Sequence, residues 1–307
     1  MQTILITGAT GLIGTALCEY LEQASNKAYE IRILTRNKQA KSPFKKYLWH
    51  IDKDYIETEA LENVDTIIHL AGENIGAKRW TEARKKEILD SRVKSTELLV
   101  HTLQNMPNHK VKTFIAASAI GYYGDTGHNI ADESTPAGDN FMAEICKQWE
   151  NASLPIENMG IRRVIVRNGI VLSTKGRTLN MMMKTYPLHL GAYAGLGGPY
   201  LSWIHILDVC RIYHFIMQHE NCHGIYNAVS PNPEKNYTIA QAIAKALNKK
   251  TLILPVPGFL IKLGLGEMSE VVLSSLRIAP KALERDGFTF EFTKIIPALQ
   301  DLIKKKR

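Results

Sequence analysis

The feature that most constrains this chain is TGATGLIG at 7–14, three glycines spaced by three that follow the apolar run TILIT (3–7). A strand running straight into such a loop, and then into the helical pattern Leu12–Ala24, has few solutions. Gly8 permits a sharp turn off the strand, Gly11 lets the backbone approach a pyrophosphate, and Gly14 lets the helix pack closely on the sheet. The phosphates of a dinucleotide then lie at the positive end of that helix. Gly8, Thr10, Gly11, Leu12, Ile13 and Gly14 are therefore the loop's candidate cofactor contacts.

The rest of the N-terminal half agrees. EIRILT (30–35), DTIIHLA (65–71), VKTFIAAS (111–118) and RRVIVR (162–167) read as short β-branched strands. Between them lie a charged helix from about Thr81 to Leu103 and the amphipathic stretch DNFMAEICKQWE (139–150). This alternation predicts an α/β fold, a Rossmann-type doubly wound parallel sheet with helices on both faces. After residue 170 the pattern changes. LGAYAGLGGPYLS (190–202) reads as loop, a helix is expected over about Ile206–Gln218, and a helix capped by Thr238 precedes the apolar run TLILPVP. The expected organisation is an NADP-binding domain over 1–170, rejoined by part of 203–229, and a smaller, mostly helical C-terminal substrate lobe over 171–307.

The second strand decides which dinucleotide. A site for NAD usually offers a carboxylate there to hold the ribose 2′-hydroxyl. This chain offers Thr35, Arg36, Asn37 and Lys38. A guanidinium suits a 2′-phosphate through paired hydrogen bonds and charge. Thr35 and Arg36 therefore join the candidate cofactor residues, and NADP(H) is the expected cofactor.

Composition narrows the partners. A chain of 307 residues, 45% hydrophobic and 22% charged, can bury a large core. No apolar run reaches the ~20 residues of a spanning helix, so no membrane partner is expected. Met1 leads at once into a strand, and Cys18, Cys146, Cys210 and Cys222 form no CxxC pair. No leader, no metal site and a cytoplasmic setting follow as expectations. The net charge of +8 is spread over many helices, without the aromatic-studded stripe that single strands use, and the terminal KKKR reads as a solvated tail. No nucleic-acid partner is expected; a basic pocket for an anionic small molecule accounts for the charge.

TGATGLIG, the LAG of 70–72, the strand ending in Ser118, and WIHILDV (203–209) together resemble the extended short-chain dehydrogenase/reductase family. LAGENIGAKRW (70–80), SRV (91–93), GYYG (121–124), the QWE of 148–150 and GEMSEVVLSSLRIAPKALERDGF (266–288) are similar to one atypical branch of it. That branch is the sugar-nucleotide epimerase-like proteins, which carry a small C-terminal domain of unknown function. The resemblance covers nearly the whole chain. It implies an NADP-binding fold with substrate between the lobes, and a homodimer is compatible with it. It also implies that Leu70, Ala71 and Gly72 line the cofactor beyond the third strand. Glu87 and Arg92 would touch the cofactor from the following helix, and Val171 would lie at its nicotinamide end.

In the ordinary family a tyrosine and a lysine four residues later handle the substrate proton, with a serine or threonine sharing the oxygen's hydrogen bonds. A phenol titrating near pH 10 needs such help to serve as a base. None of the twelve tyrosines here has a lysine four positions later. Matching Glu150 to the family's helix acid puts Met142 and Cys146 at the two positions. Matching by aromatic character puts Phe141 and Ile145 there. Ser118 survives, and Tyr122 and Tyr123 follow it by four and five residues. Ser118, Tyr122 and Tyr123 are the candidate catalytic residues. Two functions remain open: an NADP-dependent oxidoreductase or epimerase-like enzyme on a small polar or nucleotide-linked substrate, or a non-catalytic NADP(H)-binding regulator or sensor.

Overall fold

The computed structural model describes residues 1–24, 28–39 and 41–304, so most of the KKKR tail lies outside the described residues. Seven strands make up most of the central sheet: β1 (Gln2–Thr7), β2 (Tyr29–Thr35), β3 (Lys45–His50), β4 (Tyr55–Ile56), β5 (Thr66–His69), β6 (Thr113–Ala119) and β7 (Arg162–Asn168). The shorter β8 (Ile170–Leu172), β9 (Leu190–Ala194), β10 (Tyr200–Leu201) and β11 (Trp203–His205) follow, and then β12 (Gly224–Ala228), β13 (Glu234–Lys235) and β14 (Leu252–Val256). The order in the eight-stranded sheet is β12-β7-β6-β5-β1-β2-β3-β4, with only the β3–β4 pair antiparallel. The chain reverses direction of travel between β1 and β5. That switch point is where open α/β sheets bind ligands.

Helices cover both faces: α1 (Leu12–Ala24), α2 (Glu82–Gln104), α3 (Phe141–Ala152), α4 (Arg177–Met182) and α5 (Ile206–Gln218). The C-terminal lobe adds α6 (Asn236–Ala246), α7 (Gly258–Leu265), α8 (Ser269–Leu273), α9 (Lys281–Arg285) and α10 (Ile295–Lys304). Strand alternation sorts the core. Ile4 and Ile6 join the cluster containing Leu17 and Leu21 of α1 and Ile212 and Ile216 of α5. Leu5 points the other way, into the cluster that holds Leu99 of α2 and Phe114. A third cluster, with Trp203, Ile243 and Leu299, belongs to the C-terminal lobe. Among the described residues no helix is long and apolar enough to cross a membrane.

Two expectations need correction, and one pair of strands was missed. The glycine-rich segment 190–202 is not all loop: β9 pairs in parallel with β14, the TLILPVP run, and β10 pairs with β13. Thr238 is not a cap, because α6 begins at Asn236 with Lys235 in the capping position and no side-chain cap bond. β3 and β4 were not foreseen. The signal was present in KKYLWH, where Tyr47 and Trp49 are buried and their neighbours are not.

Two contacts anchor the C-terminal lobe to the sheet. The fully buried carboxylate of Asp208, in the WIHILDV motif, accepts the amides of Glu291 and Phe292, both at 2.9 Å. The segment around Arg277 threads past the loop after β6: Ala131 N donates to Arg277 O (2.9 Å) and Ala279 N to Ala131 O (2.8 Å). His205, also in WIHILDV, accepts Leu207 N at 3.0 Å and caps α5.

Candidate functional site: a dinucleotide cleft beside a closed polar network

The three loop glycines differ in what surrounds them. Gly8 has φ +66°, and a Cβ there would meet Leu70 C at 2.7 Å. At Gly14 a Cβ would lie 2.2 Å from Gly8 O. Both glycines are thus required by close backbone packing. Gly11 has ordinary φ, and its only neighbour within 4 Å would be Gly8 O at 3.2 Å. Thr10 and Gly11 are exposed, while Leu12 and Ile13 are half-buried. The loop is therefore tight at its ends and open in the middle. That is the shape a pyrophosphate needs, and the residues fit a dinucleotide.

A buried relay fixes the neighbouring strand end. Thr7 Oγ1 accepts Leu70 N (3.1 Å) and Ala71 N (3.2 Å), which leaves its proton for His69 Nδ1 at 2.7 Å. Ser95 and Thr96 donate their hydroxyls to Arg92 O (3.0 and 2.8 Å). They can therefore accept the remaining His69 proton, on Nε2, at 3.2 and 3.0 Å. This assigns the tautomer from the network. Burial pushes the His69 pKa down to about 3, so the ring stays neutral. The relay ties β1, β5 and α2 together under Leu70, Ala71 and Gly72.

Arg92 lies directly against that segment: a Cβ on Gly72 would come within 3.2 Å of its side chain. Its guanidinium donates to Ile88 O (3.0 Å) and lies 5.1 Å from the Trp149 ring centroid. It pairs with no carboxylate among the described residues, and burial pushes its pKa down to about 10. A desolvated cation that feels Glu73 but touches no carboxylate leaves room for an anionic or polar ligand. Glu87 is placed differently. It is exposed and paired with the buried Arg84 at 2.7 Å.

Arg36 is 73% exposed and 3.6 Å from Glu73. Thr35 is buried, its hydroxyl turned into its own turn toward Asn37. Sequence reasoning missed Glu73 and Arg84. Glu73 follows the LAG segment directly and sits between two guanidinia, 3.5 Å from that of Arg84. The Arg36–Glu73 pair is long and solvated, so it restrains the guanidinium weakly. Val171 pairs with Ile204 between β8 and β11 and, with Ala9, Ile13 and Leu70, borders the core cluster beneath the cleft. The turn after β8 closes on the loop, since a Cβ on Gly176 would lie 2.8 Å from Leu12.

The residues expected to carry chemistry are engaged with one another. Ser118 Oγ donates to Glu150 Oε1 at 2.6 Å. Arg167 grips the same carboxylate with Nε and Nη2, both at 2.8 Å, and is 1% exposed. Its Nη1 donates to Tyr123 OH (3.0 Å), and Tyr123 donates to Asn227 Oδ1 (2.8 Å). Burial pushes the Tyr123 phenol up to about 12, so it is no base at neutral pH. Ser118 and Tyr123 thus act first as members of a buried network. Tyr122 is half-buried, with the Arg167 guanidinium 3.3 Å from its ring centroid.

The two candidate pairs of α3 have different surroundings. Met142 packs on Gly121, and Cys146 Sγ donates to Ala119 O at 3.5 Å, so both face the end of β6. Phe141 and Ile145 join the cluster of Trp80 and Ile88, which Met142 also borders. Burial pushes the Cys146 thiol up to about 11, which removes it as a nucleophile at neutral pH.

The chain is similar to known proteins over nearly its whole length. Residues 4–229 match the NAD dependent epimerase/dehydratase family, and residues 256–302 match a domain of unknown function (DUF1731). The chain is 35% identical over 297 residues to an epimerase family protein of Mycobacterium leprae, covering 96% of this chain and 94% of that one. It is similar to the crystal structure of the human epimerase family protein SDR39U1 with NADPH, with TM-score 0.88 at 28% identity and 99% of each chain covered. A nucleoside-diphosphate sugar epimerase from Corynebacterium glutamicum matches with TM-score 0.78 at 31% identity, over 98% of this chain and 58% of that one. With a glycine loop of this geometry at the head of a parallel sheet and a match running from β1 through β12, the chain belongs to the NAD dependent epimerase/dehydratase family.

Proposed function

We propose that the protein binds NADP(H) in the cleft above β1, β2 and β5 and acts as an oxidoreductase or epimerase-like enzyme. Its substrate would be a small polar or nucleotide-linked molecule held between the sheet edge and the C-terminal lobe. One observation carries the cofactor reading: the loop is closed at Gly8 and Gly14 and open at Gly11. The human relative crystallised with NADPH supports the same reading. The choice of NADP(H) rests on Arg36, exposed at the end of β2 where a carboxylate would favour NAD. Arg92, half-buried and without an acid partner, would meet a polar or anionic part of the cofactor from below. Bound there, the cofactor would supply a hydride donor or acceptor.

The chain's own contribution to proton handling differs from the family's usual pair. Glu150 holds the Ser118 hydroxyl, burial disables Tyr123, and Cys146 is an inert packing thiol. Tyr122 is the remaining phenol of the loop, and its role would be to hold or pass a proton to a substrate oxygen. A second reading, a non-catalytic NADP(H)-binding regulator or sensor, is favoured by the closed network around Ser118. The test has two stages. NADPH should quench or shift the protein's fluorescence at concentrations where NADH does not. Purified protein is then offered NADPH with a panel of carbonyl compounds and nucleotide sugars. Consumption that Tyr122→Phe abolishes, with cofactor affinity kept, supports the enzyme. Tight NADPH binding with no consumption across the panel supports the sensor.

A further inference from the structure

The ion pairs beside the cofactor cleft are uneven in strength. Arg84, buried on α2, holds Glu87 closely at 2.7 Å. Glu73 is shared more loosely, with Oε2 3.5 Å from Arg84 Nη1 and Oε1 3.6 Å from Arg36 Nη1. Both distances exceed the roughly 2.7–2.9 Å of a good charge-assisted hydrogen bond. The backbone around this acid is fixed although its carboxylate is not. Glu73 N donates to Ser91 Oγ (3.0 Å), and Asn74 O accepts from Arg84 Nη2 (2.7 Å).

Sheet order sets where the Arg36–Glu73 pair lies. β1 runs between β2 and β5, Arg36 follows β2, and Glu73 follows the LAG segment after β5. The pair therefore reaches across the carboxyl end of β1, the crevice in which a dinucleotide lies on its glycine loop. Lys38, two residues beyond Arg36, is held by Glu57. Arg36 is the cation of that turn open to a 2′-phosphate, and Glu73 is the anion already beside it. A phosphate dianion offers a guanidinium paired, charge-assisted bonds that a solvated carboxylate at 3.6 Å does not. Glu73 also has a second place to go, because Arg84 Nε is buried with no hydrogen-bond partner among the described residues.

We propose that Glu73 tunes the cofactor preference of this site: it competes with the 2′-phosphate of NADP(H) for Arg36, and gives Arg36 up by closing on Arg84 when that phosphate binds. This rests on the NADP(H) reading above and adds to it a residue that tempers the preference Arg36 creates. NADH brings no phosphate to Arg36, so the competition leaves it untouched.

Calorimetric titration of the full chain with NADPH and with NADH tests this, on the unaltered protein, Glu73→Gln, Arg36→Ala and the double variant. Glu73→Gln keeps the side chain's size and removes its charge. It should tighten NADPH by about twofold to fivefold, the worth of one solvated ion pair. NADH affinity should stay the same, which a general disturbance of the cleft would not allow. In the Arg36→Ala background the gain from Glu73→Gln should vanish. Melting curves accompany each variant, and Glu73→Ala, with the same expected direction, stands in if the glutamine destabilises the fold. Unchanged NADPH affinity overturns the proposal, and weaker NADPH binding does so by making Glu73 a support for Arg36. An equal gain for both cofactors, or a gain that survives in the double variant, overturns it as well. Weaker NADH binding would instead make Glu73 the acid that holds the ribose. The NADP(H) reading fails separately, and takes this proposal with it, if the unaltered protein binds NADPH no more tightly than NADH or Arg36→Ala leaves NADPH unchanged. Weakening by Arg36→Ala with no effect of Glu73→Gln removes this proposal alone.

Discussion

The carboxyl edge of the sheet is used in two ways. Around β1 and β5 the chain leaves an exposed turn at Thr10 and Gly11, an exposed Arg36 and an Arg92 that touches no carboxylate among the described residues. Around β6 and β7, Ser118, Glu150, Arg167, Tyr123 and Asn227 satisfy one another in the interior. The first region leaves its polar groups open, and the second closes most of its groups on one another. The physical reason is visible in Arg167. A buried guanidinium needs a carboxylate, Glu150 supplies it, and Ser118 completes that carboxylate's hydrogen bonds.

The sharpest way to break this comparison is to remove Arg167. Arg167→Ala leaves the Glu150 carboxylate buried and unpaired, which should cost ~3–5 kcal/mol of stability. Urea unfolding measures it; a loss under about 1 kcal/mol would mean the network is not structural. Gly11→Val probes the other region. A branched side chain takes the space of the pyrophosphate, so NADPH affinity should fall by about a hundredfold or more while circular dichroism stays unchanged. Unchanged affinity in calorimetry would reduce the loop to a turn. Arg36→Ala should weaken NADPH by about tenfold, the loss of one charge-assisted hydrogen bond at ~1.5–3 kcal/mol, and leave NADH nearly untouched. Equal affinities of the unaltered protein for the two cofactors would remove Arg36 from the site.

The smallest effect concerns the relay beneath the cleft. The folded pKa of His69 is about 3, below the ordinary value of 6.5, so the unfolded chain takes up a proton first as pH falls. The stability contribution of the neutral ring is full above about pH 6.5 and is lost between there and pH 3, with a slope of at most ~1.4 kcal/mol per pH unit. Urea melts at pH 7, 6 and 5 should therefore show a steeper decline for the unaltered protein than for His69→Gln. Parallel declines would mean that the ring already carries its charge in the fold.

Much of the cofactor region was legible in the sequence because its signals are local. Gly8, Gly11 and Gly14 are spaced along one turn, the strand before them has the apolar centre Ile4–Ile6, and Arg36 follows directly from β2. Local reading failed where partners come from distant segments. Glu73 meets Arg36 across the gap between two strand ends, and Arg84 reaches Glu73 from α2. In the C-terminal lobe, the glycine-rich look of 190–202 hid β9, whose partner β14 lies some sixty residues later.

The sequence by itself determined the family, the alternating α/β order and the absence of the tyrosine–lysine pair, since each follows from residue types at short spacing. Only the tertiary structure decided what Ser118 does. A hydroxyl at the end of a strand can face a substrate or a buried acid with equal ease. That choice was made by Glu150, 32 residues later, and by Arg167, which needed that acid in an interior where an unpaired charge is too costly to keep.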